Sequence, residues 1–353
     1  MNQNKFLYTM KLIACLAVIT IHVRFPDPFG QYVKAIARFA VPFFFAVSGR
    51  YLLSGVYTTG GIRSRAFRSL KKTIGITVIV YTVYLLYSVL YHVLVGAKLS
   101  EVFAGRFNPG SIKRFLIFNT GTVIYDDSYV FDHMWYLFAW IYVLVVIIAA
   151  APVLRKCYKP VMAVLLLALH IFTWMQDFKI VRVFGITLTT PYVLRSWFFT
   201  GIPYVLLGVL WGDIVEGLKK DKTTEDYNRI VNLWKIPGIC FLSTGILSSC
   251  FETFIIGEKE IFIGSFFIVM GILLLSESLS EKGGLLSEMG REASSYIYFY
   301  HVLILAILNL GVIRGVFPPV PGIVKPVVLM ILSIIIFYGL PKLYRSVINV
   351  KKG

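Results

Sequence analysis

Residues 73–95 read TIGITVIVYTVYLLYSVLYHVLV, with no Asp, Glu, Lys or Arg among them. At 1.5 Å per residue this stretch makes a helix about 35 Å long, enough to cross a hydrocarbon core about 30 Å thick. Apolar residues cover every face of such a helix, whereas a surface helix of a soluble protein keeps one polar side. Lys71-Lys72 stop the run at one end and Gly96 at the other. Residues 73–95 therefore read as a membrane span.

Working outward on the same template yields about ten spans. They lie at 6–23, 33–56, 73–95, 134–153, 158–175, 194–215, 233–254, 261–279, 293–313 and 323–343. The expected fold is an all-α, polytopic transmembrane bundle forming a single membrane domain over residues 1–353. Composition agrees. The chain is 58% hydrophobic and 15% charged, where a soluble domain carries about 25% charged residues. A soluble enzyme is excluded. The net charge of +17 would point to nucleic acid in a soluble chain. Here the cations sit between apolar segments, where the positive-inside rule accounts for them, so no nucleic-acid partner is read.

The loops set the orientation. With the N-terminus inside, inner loops carry Arg63, Arg65, Arg68, Lys71, Lys72, Arg155, Lys156, Lys159, Lys219, Lys220, Lys222 and Arg229. Outer loops carry fewer, among them Arg24, Lys98, Arg106, Lys113 and Arg114. The roughly two-to-one bias places both termini in the cytoplasm. Two stretches lie outside the spans. Residues 96–133 form a long extracytoplasmic connection containing the acidic pair Asp126–Asp127, and residues 217–232 read as a charged cytoplasmic linker. The four cysteines form no C-x-x-C pair, so neither a metal site nor a disulfide framework is read. The first apolar stretch lacks a small-x-small cleavage site.

Ionisable residues inside spans are costly and mark function or a satisfied partner. The first span holds Lys11 and His22, eleven residues apart, about three turns and about 16.5 Å of rise along one helix face. His22 falls near the outer end, where an interfacial histidine is the competing reading. The second span holds Arg38, Pro42 and the small pair Ser48-Gly49, which suits close helix packing or a ligand approach. Arg65 and Arg68, three apart, share a face if helical and suit a phosphate; an ordinary basic loop touching anionic lipid is the alternative. His133 and Trp135 open the fourth span beside interfacial aromatics, and Arg195 begins the sixth on the same side. His301 lies deep in the ninth span, where core histidines usually satisfy themselves. His92, His170 and Glu252 read as structural.

Together these residues resemble the acyltransferase-3 family of integral membrane acyltransferases. The family's Arg-x10-His pattern is similar to Lys11-x10-His22, with lysine in place of arginine. Its Ser-Gly motif resembles Ser48-Gly49, and its Arg-x-x-Arg motif resembles Arg65-Ala66-Phe67-Arg68. His133 to Leu137 and Ser295 to His301 resemble two further motifs, in the family's order. The stretches 36–53 and 195–208 look like the membrane domain of the vancomycin-resistance serine racemases.

The resemblance implies a multi-pass cell-membrane enzyme that moves an acetyl or similar group from cytoplasmic acyl-CoA, without a metal. The acceptor it implies is a hydroxyl on an extracytoplasmic carbohydrate or peptidoglycan-like molecule. His22 would be the base, with Lys11 supporting it. Arg65, Arg68, Ser48 and Gly49 would bind acyl-CoA, and Arg38, His133, Trp135, Arg195 and His301 would support the acceptor side. The serine-racemase branch implies the alternative, a non-catalytic membrane domain for serine uptake. The oligomeric state stays open.

Overall fold

The computed structural model describes residues 4–125, 128, 130–175, 181–183 and 186–350; the pair Asp126–Asp127 lies outside them. The helices in chain order are α1 (Lys5–His22), α2 (Phe29–Ala37), α3 (Ala40–Leu53), α4 (Thr59–Leu94), α5 (Leu99–Arg106), α6 (Pro109–Phe118), α7 (Trp135–Met175), α8 (Pro191–Leu194), α9 (Ile202–Asp221), α10 (Thr224–Leu233), α11 (Lys235–Ile256), α12 (Ile263–Ser278), α13 (Gly284–Glu292), α14 (Ser294–Ile313), α15 (Lys325–Ile334) and α16 (Leu340–Val350). Wide π-type turns at Trp197–Gly201 and Ile335–Gly339 lead into α9 and α16. A two-residue antiparallel ladder, Arg182–Val183 with Ile186–Thr187, is the strand pairing among the described residues.

Eight continuous helical stretches among the described residues are long and apolar enough to cross a membrane, and α12 is a shorter apolar helix. The protein is a multi-pass membrane protein. The expected fourth and fifth spans are one unbroken helical stretch, α7, yet that stretch doubles back. Tyr142 stacks on Trp197 with ring centroids 5.9 Å apart, and Phe172 packs on Phe199 at 5.6 Å. Thirty residues of straight helix would separate Tyr142 from Phe172 by about 45 Å, which no pair of neighbouring rings could bridge. Val143, Ile147 and Leu154 also face Val161, Val164 and Leu165 across one apolar cavity of about 450 Å³. Pro152 and Pro160 lie between the two limbs. Each removes a ladder hydrogen bond and lets the helix turn. Counting both limbs of α7 and the shorter α12, the described residues hold ten apolar helical segments.

Other differences have local causes. The second span breaks at Arg38-Phe39 rather than at Pro42, which sits in the first turn of α3. A proline there forfeits only an N–H that has no helical acceptor. The long connection 96–133 holds two short helices, α5 and α6. The charged stretch 217–232 is also largely helical, in the end of α9 and in α10.

The chain divides into two compact units, residues 1–41 with 224–353, and residues 42–223. In the first unit, Asn4 caps α1. Its Oδ1 accepts from the Leu7 N–H at 2.9 Å and its Nδ2 donates to the Ser276 carbonyl at 2.7 Å. The start of α1 thus meets the end of α12. Helices α11 and α12 touch backbone to backbone: a Cβ on Gly264 would lie 2.3 Å from the Gly245 oxygen. Lipid gives apolar helices no hydrophobic reason to associate, so such close contact is what holds them. The Glu252 carboxylate accepts from the Ile263 and Gly264 N–H groups at 3.1 and 3.0 Å. It satisfies the open N-terminus of α12, the structural role expected for it.

In the second unit, α3 and α9 meet in the same way. A Cβ on Gly49 would lie 2.1 Å from the Val205 oxygen, and one on Gly208 would lie 1.8 Å from the Ala46 oxygen. At the bend of α7, Arg155 donates to the Leu53 carbonyl at 2.6 Å and from Nε to the Val56 carbonyl at 2.9 Å. It also pairs with Asp213, which accepts from the Tyr158 hydroxyl at 2.7 Å. Leu53 is the last residue of α3, where helix carbonyls lack intrahelical partners, and its carbonyl also accepts from the Val56 N–H at 3.1 Å. The bend of α7, the end of α3 and the last turns of α9 share one end of this unit.

Candidate active site

The first unit carries Lys11, His22, Arg38 and His301. Lys11 and His22 both lie in the uninterrupted α1, three turns apart, and the structure does not bring them together. Lys11 is half-buried. Its ammonium lies 5.2 Å from the centre of the Tyr8 ring, within cation–π range, and it forms no ion pair among the described residues. One turn further along, the Cys15 thiol donates to the Ser294 carbonyl at 3.1 Å, which ties α1 to the start of α14.

His22 ends α1 and is half-buried. Its ring lies 5.2 Å from that of His301, tilted by 55°. His301 is completely buried, and its Nδ1 lies 3.0 Å from the Ile297 carbonyl and 2.9 Å from that of Tyr298. Carbonyls only accept, so Nδ1 carries the proton and, in the neutral ring, Nε2 keeps the lone pair. Self-satisfaction within its own helix is what the sequence predicts for His301; contact with His22 is what it does not.

Arg38 sits at the break between α2 and α3 and forms an ion pair with Glu260. Lys34 pairs with Glu258 at 2.7 Å, and Arg24 with Glu258 and Asp27. The end of α1 that bears His22 therefore borders a ring of salt bridges closed by the α11–α12 connection. Neither glutamate has a local sequence pattern that marks it.

The second unit holds the remaining candidates. Gly49 is accounted for by its contact with Val205, the packing reading of the Ser48-Gly49 pair. Arg65 and Arg68 are both exposed on the first turns of α4, which Thr58 caps by accepting from the Gly61 N–H at 3.2 Å. Arg65 spends one N–H on the Ser54 carbonyl at 3.1 Å, just past the helix that carries Ser48-Gly49. Arg68 makes no hydrogen bond or ion pair among the described residues.

At the opposite end of this unit, His133 is buried and packs edge-on against Tyr84 at 4.9 Å. Two residues on, the Trp135 ring lies 5.6 Å from the Arg195 guanidinium. Arg195 also covers Tyr125 and Tyr192, at 5.3 and 5.4 Å, and donates to the Tyr125 hydroxyl at 2.8 Å. Trp135 and Arg195 are thus brought together, with His133 two residues from Trp135. Of the two tyrosines that complete the cage, Tyr125 lies in a connecting segment and Tyr192 in the short α8, and neither carries a marking in the sequence. No group of three His, Cys, Asp or Glu residues placed to hold a metal occurs among the described residues.

The acyltransferase-3 profile, described as an acyltransferase domain, matches residues 4–340. No curated protein and no solved structure matches the chain. Nearly the whole sequence is covered, and the helices are those of a multi-pass membrane protein. The chain therefore belongs to the acyltransferase-3 family of integral membrane acyltransferases.

Proposed function

We propose that this protein is an O-acyltransferase that moves an acetyl or similar acyl group from cytoplasmic acyl-CoA to a hydroxyl of an extracytoplasmic cell-wall or polysaccharide acceptor. The observation that carries this reading is the His22–His301 ring pair, one imidazole half-buried at the end of α1 and the other wholly buried behind it. In this scheme His22 takes the acceptor hydroxyl proton. The acceptor oxygen attacks the thioester carbonyl, the carbon–sulfur bond breaks, and the CoA thiolate leaves with the proton returned by His22. The products are an ester and free CoA thiol. A positioned histidine base contributes about 10²–10⁴-fold.

His301, anchored by its Nδ1–H, fixes the ring of His22 and acts as a positioning residue. Arg65 and Arg68 bind the CoA phosphates. Their exposure leaves guanidinium N–H groups available, and guanidinium matches phosphate in a two-point fork. Lys11 stands where the family pattern has arginine. Its ammonium is a point charge without that fork, and here it rests over Tyr8.

Proteoliposomes loaded with labelled acetyl-CoA and offered an external polysaccharide test the assignment. His22→Ala is expected to lower acetyl transfer by about 10²–10⁴-fold at unchanged thermal stability. Full transfer by that variant would remove His22 from the mechanism. The serine-uptake alternative predicts labelled serine accumulation without any acyl-CoA, and no release of CoA thiol.

A further inference from the structure

The second unit contains an open cleft of about 660 Å³, lined by both polar and apolar groups, that none of the roles above uses. Its wall is built from α6, from the segment after it, and from residues 187–193. Lys113 and Arg114 of α6 stand at it together, and Thr187, Thr190, Tyr125 and Tyr192 contribute hydroxyls or ring faces. Both cations are exposed, and neither has an ion-pair or hydrogen-bond partner among the described residues. No carboxylate occurs among the described lining residues. The contrast with the first unit is direct, since there Arg24, Lys34 and Arg38 are all neutralised by Glu258 or Glu260.

The aromatic wall is ordered from behind. The Tyr125 and Tyr192 rings lie 5.1 Å apart, and both lie under the Arg195 guanidinium. Two adjacent cations with no partner among the described residues favour an anion. Threonine and tyrosine hydroxyls favour a ligand rich in hydroxyl groups, and tyrosine faces favour the flat apolar side of a sugar ring. The volume lies within the range of small-ligand sites, roughly 300–1,000 Å³.

We infer that this cleft is a binding subsite for an anionic saccharide, with Lys113 and Arg114 selecting the negative charge and the Tyr125–Tyr192 wall receiving a sugar ring. That this saccharide is the acyl acceptor rests on the acyl-transfer reading; its binding does not.

The full chain in nanodiscs of neutral phosphatidylcholine, titrated with tetragalacturonate and with neutral maltotetraose, tests the inference. The acidic saccharide is expected to bind roughly tenfold tighter than the neutral one. Lys113→Gln combined with Arg114→Gln should erase that preference, and Lys159→Gln, an exposed cation at the bend of α7, should preserve it. Each single variant should lose part of the preference, which gives a second reading if the double variant does not fold. Equal affinity for the two saccharides, or a preference that survives the double variant, overturns the proposal. So does displacement of tetragalacturonate when phosphatidylglycerol is added to the nanodisc, since the cations would then be reading a lipid headgroup. Acetyl transfer is measured separately. Transfer without charge-dependent binding sinks this subsite, whereas charge-dependent binding without transfer sinks the acyl-transfer reading and leaves the subsite standing.

Discussion

Arg155 and the Arg65–Arg68 pair look alike in the sequence, as cations in short inner loops, yet they are opposites in the structure. Arg155 spends its guanidinium on the Leu53 and Val56 carbonyls and on Asp213, in half-buried surroundings. Arg65 gives up a single N–H, Arg68 gives up none, and both are exposed. Charge in a loop therefore does not identify a ligand site; charge left over after packing does. The same lesson separates the neutralised Arg38 from Lys113 and Arg114, which have no partner among the described residues.

The comparison can be broken most forcefully at Arg155. Arg155→Gln leaves Asp213 and the Leu53 and Val56 carbonyls each short of a partner, and should lower stability by about 3 kcal/mol. Thermal unfolding in detergent should show the loss, with acyl-CoA affinity unchanged in the protein that remains folded. A variant as stable as the original would mean that Arg155 is not the clamp described here.

His301→Ala comes next. A positioning residue should lower kcat by up to about 10²-fold, because small misplacement of a reacting group has that effect, while KM for acetyl-CoA stays constant. Changes in both constants together would instead indicate a general disturbance of α14.

Arg65→Gln with Arg68→Gln should raise KM for acetyl-CoA roughly tenfold. The added salt dependence of KM should disappear, and the melting temperature should hold. Loss of stability instead of affinity would erase the distinction from Arg155.

The smallest effect belongs to the Glu288–Lys342 bridge. Lys342 donates to Glu288 at 2.9 Å, and this contact, with the Tyr338 hydroxyl, holds the carboxyl below its usual range. A depressed carboxyl pKa stabilises the fold above the unfolded value, and that contribution fades as pH falls through the folded one. The melting difference between Glu288→Gln and the original should therefore be slight at neutral pH and vanish in acid. A difference that grows in acid would reverse the sign.

Much of the architecture was legible because hydrophobicity accumulates along a local stretch. Residues 73–95 specify a span without reference to any other part of the chain, and so do 293–313 and 323–343. The ordered run of Lys11-x10-His22, Ser48-Gly49, Arg65-x-x-Arg68, His133 to Leu137 and Ser295 to His301 pointed to the family that the profile match identifies. The two limbs of α7 are legible in the same way, as separate apolar runs at 134–153 and 158–175 with Arg155-Lys156 between them.

By itself, then, the sequence determined the solvent this chain lives in, the all-α multi-pass fold class and the family, since each depends on sums over neighbouring residues or on an ordered run of short motifs. Tertiary structure alone decided that His22 meets His301, that Glu260 neutralises Arg38, that Gly49 serves Val205, and that Tyr125 and Tyr192 share Arg195. Those pairings join residues distant in the chain, and they depend on which helix faces which. That choice is made by close backbone contact and by the need to satisfy every buried polar group, neither of which leaves a periodic trace in the sequence.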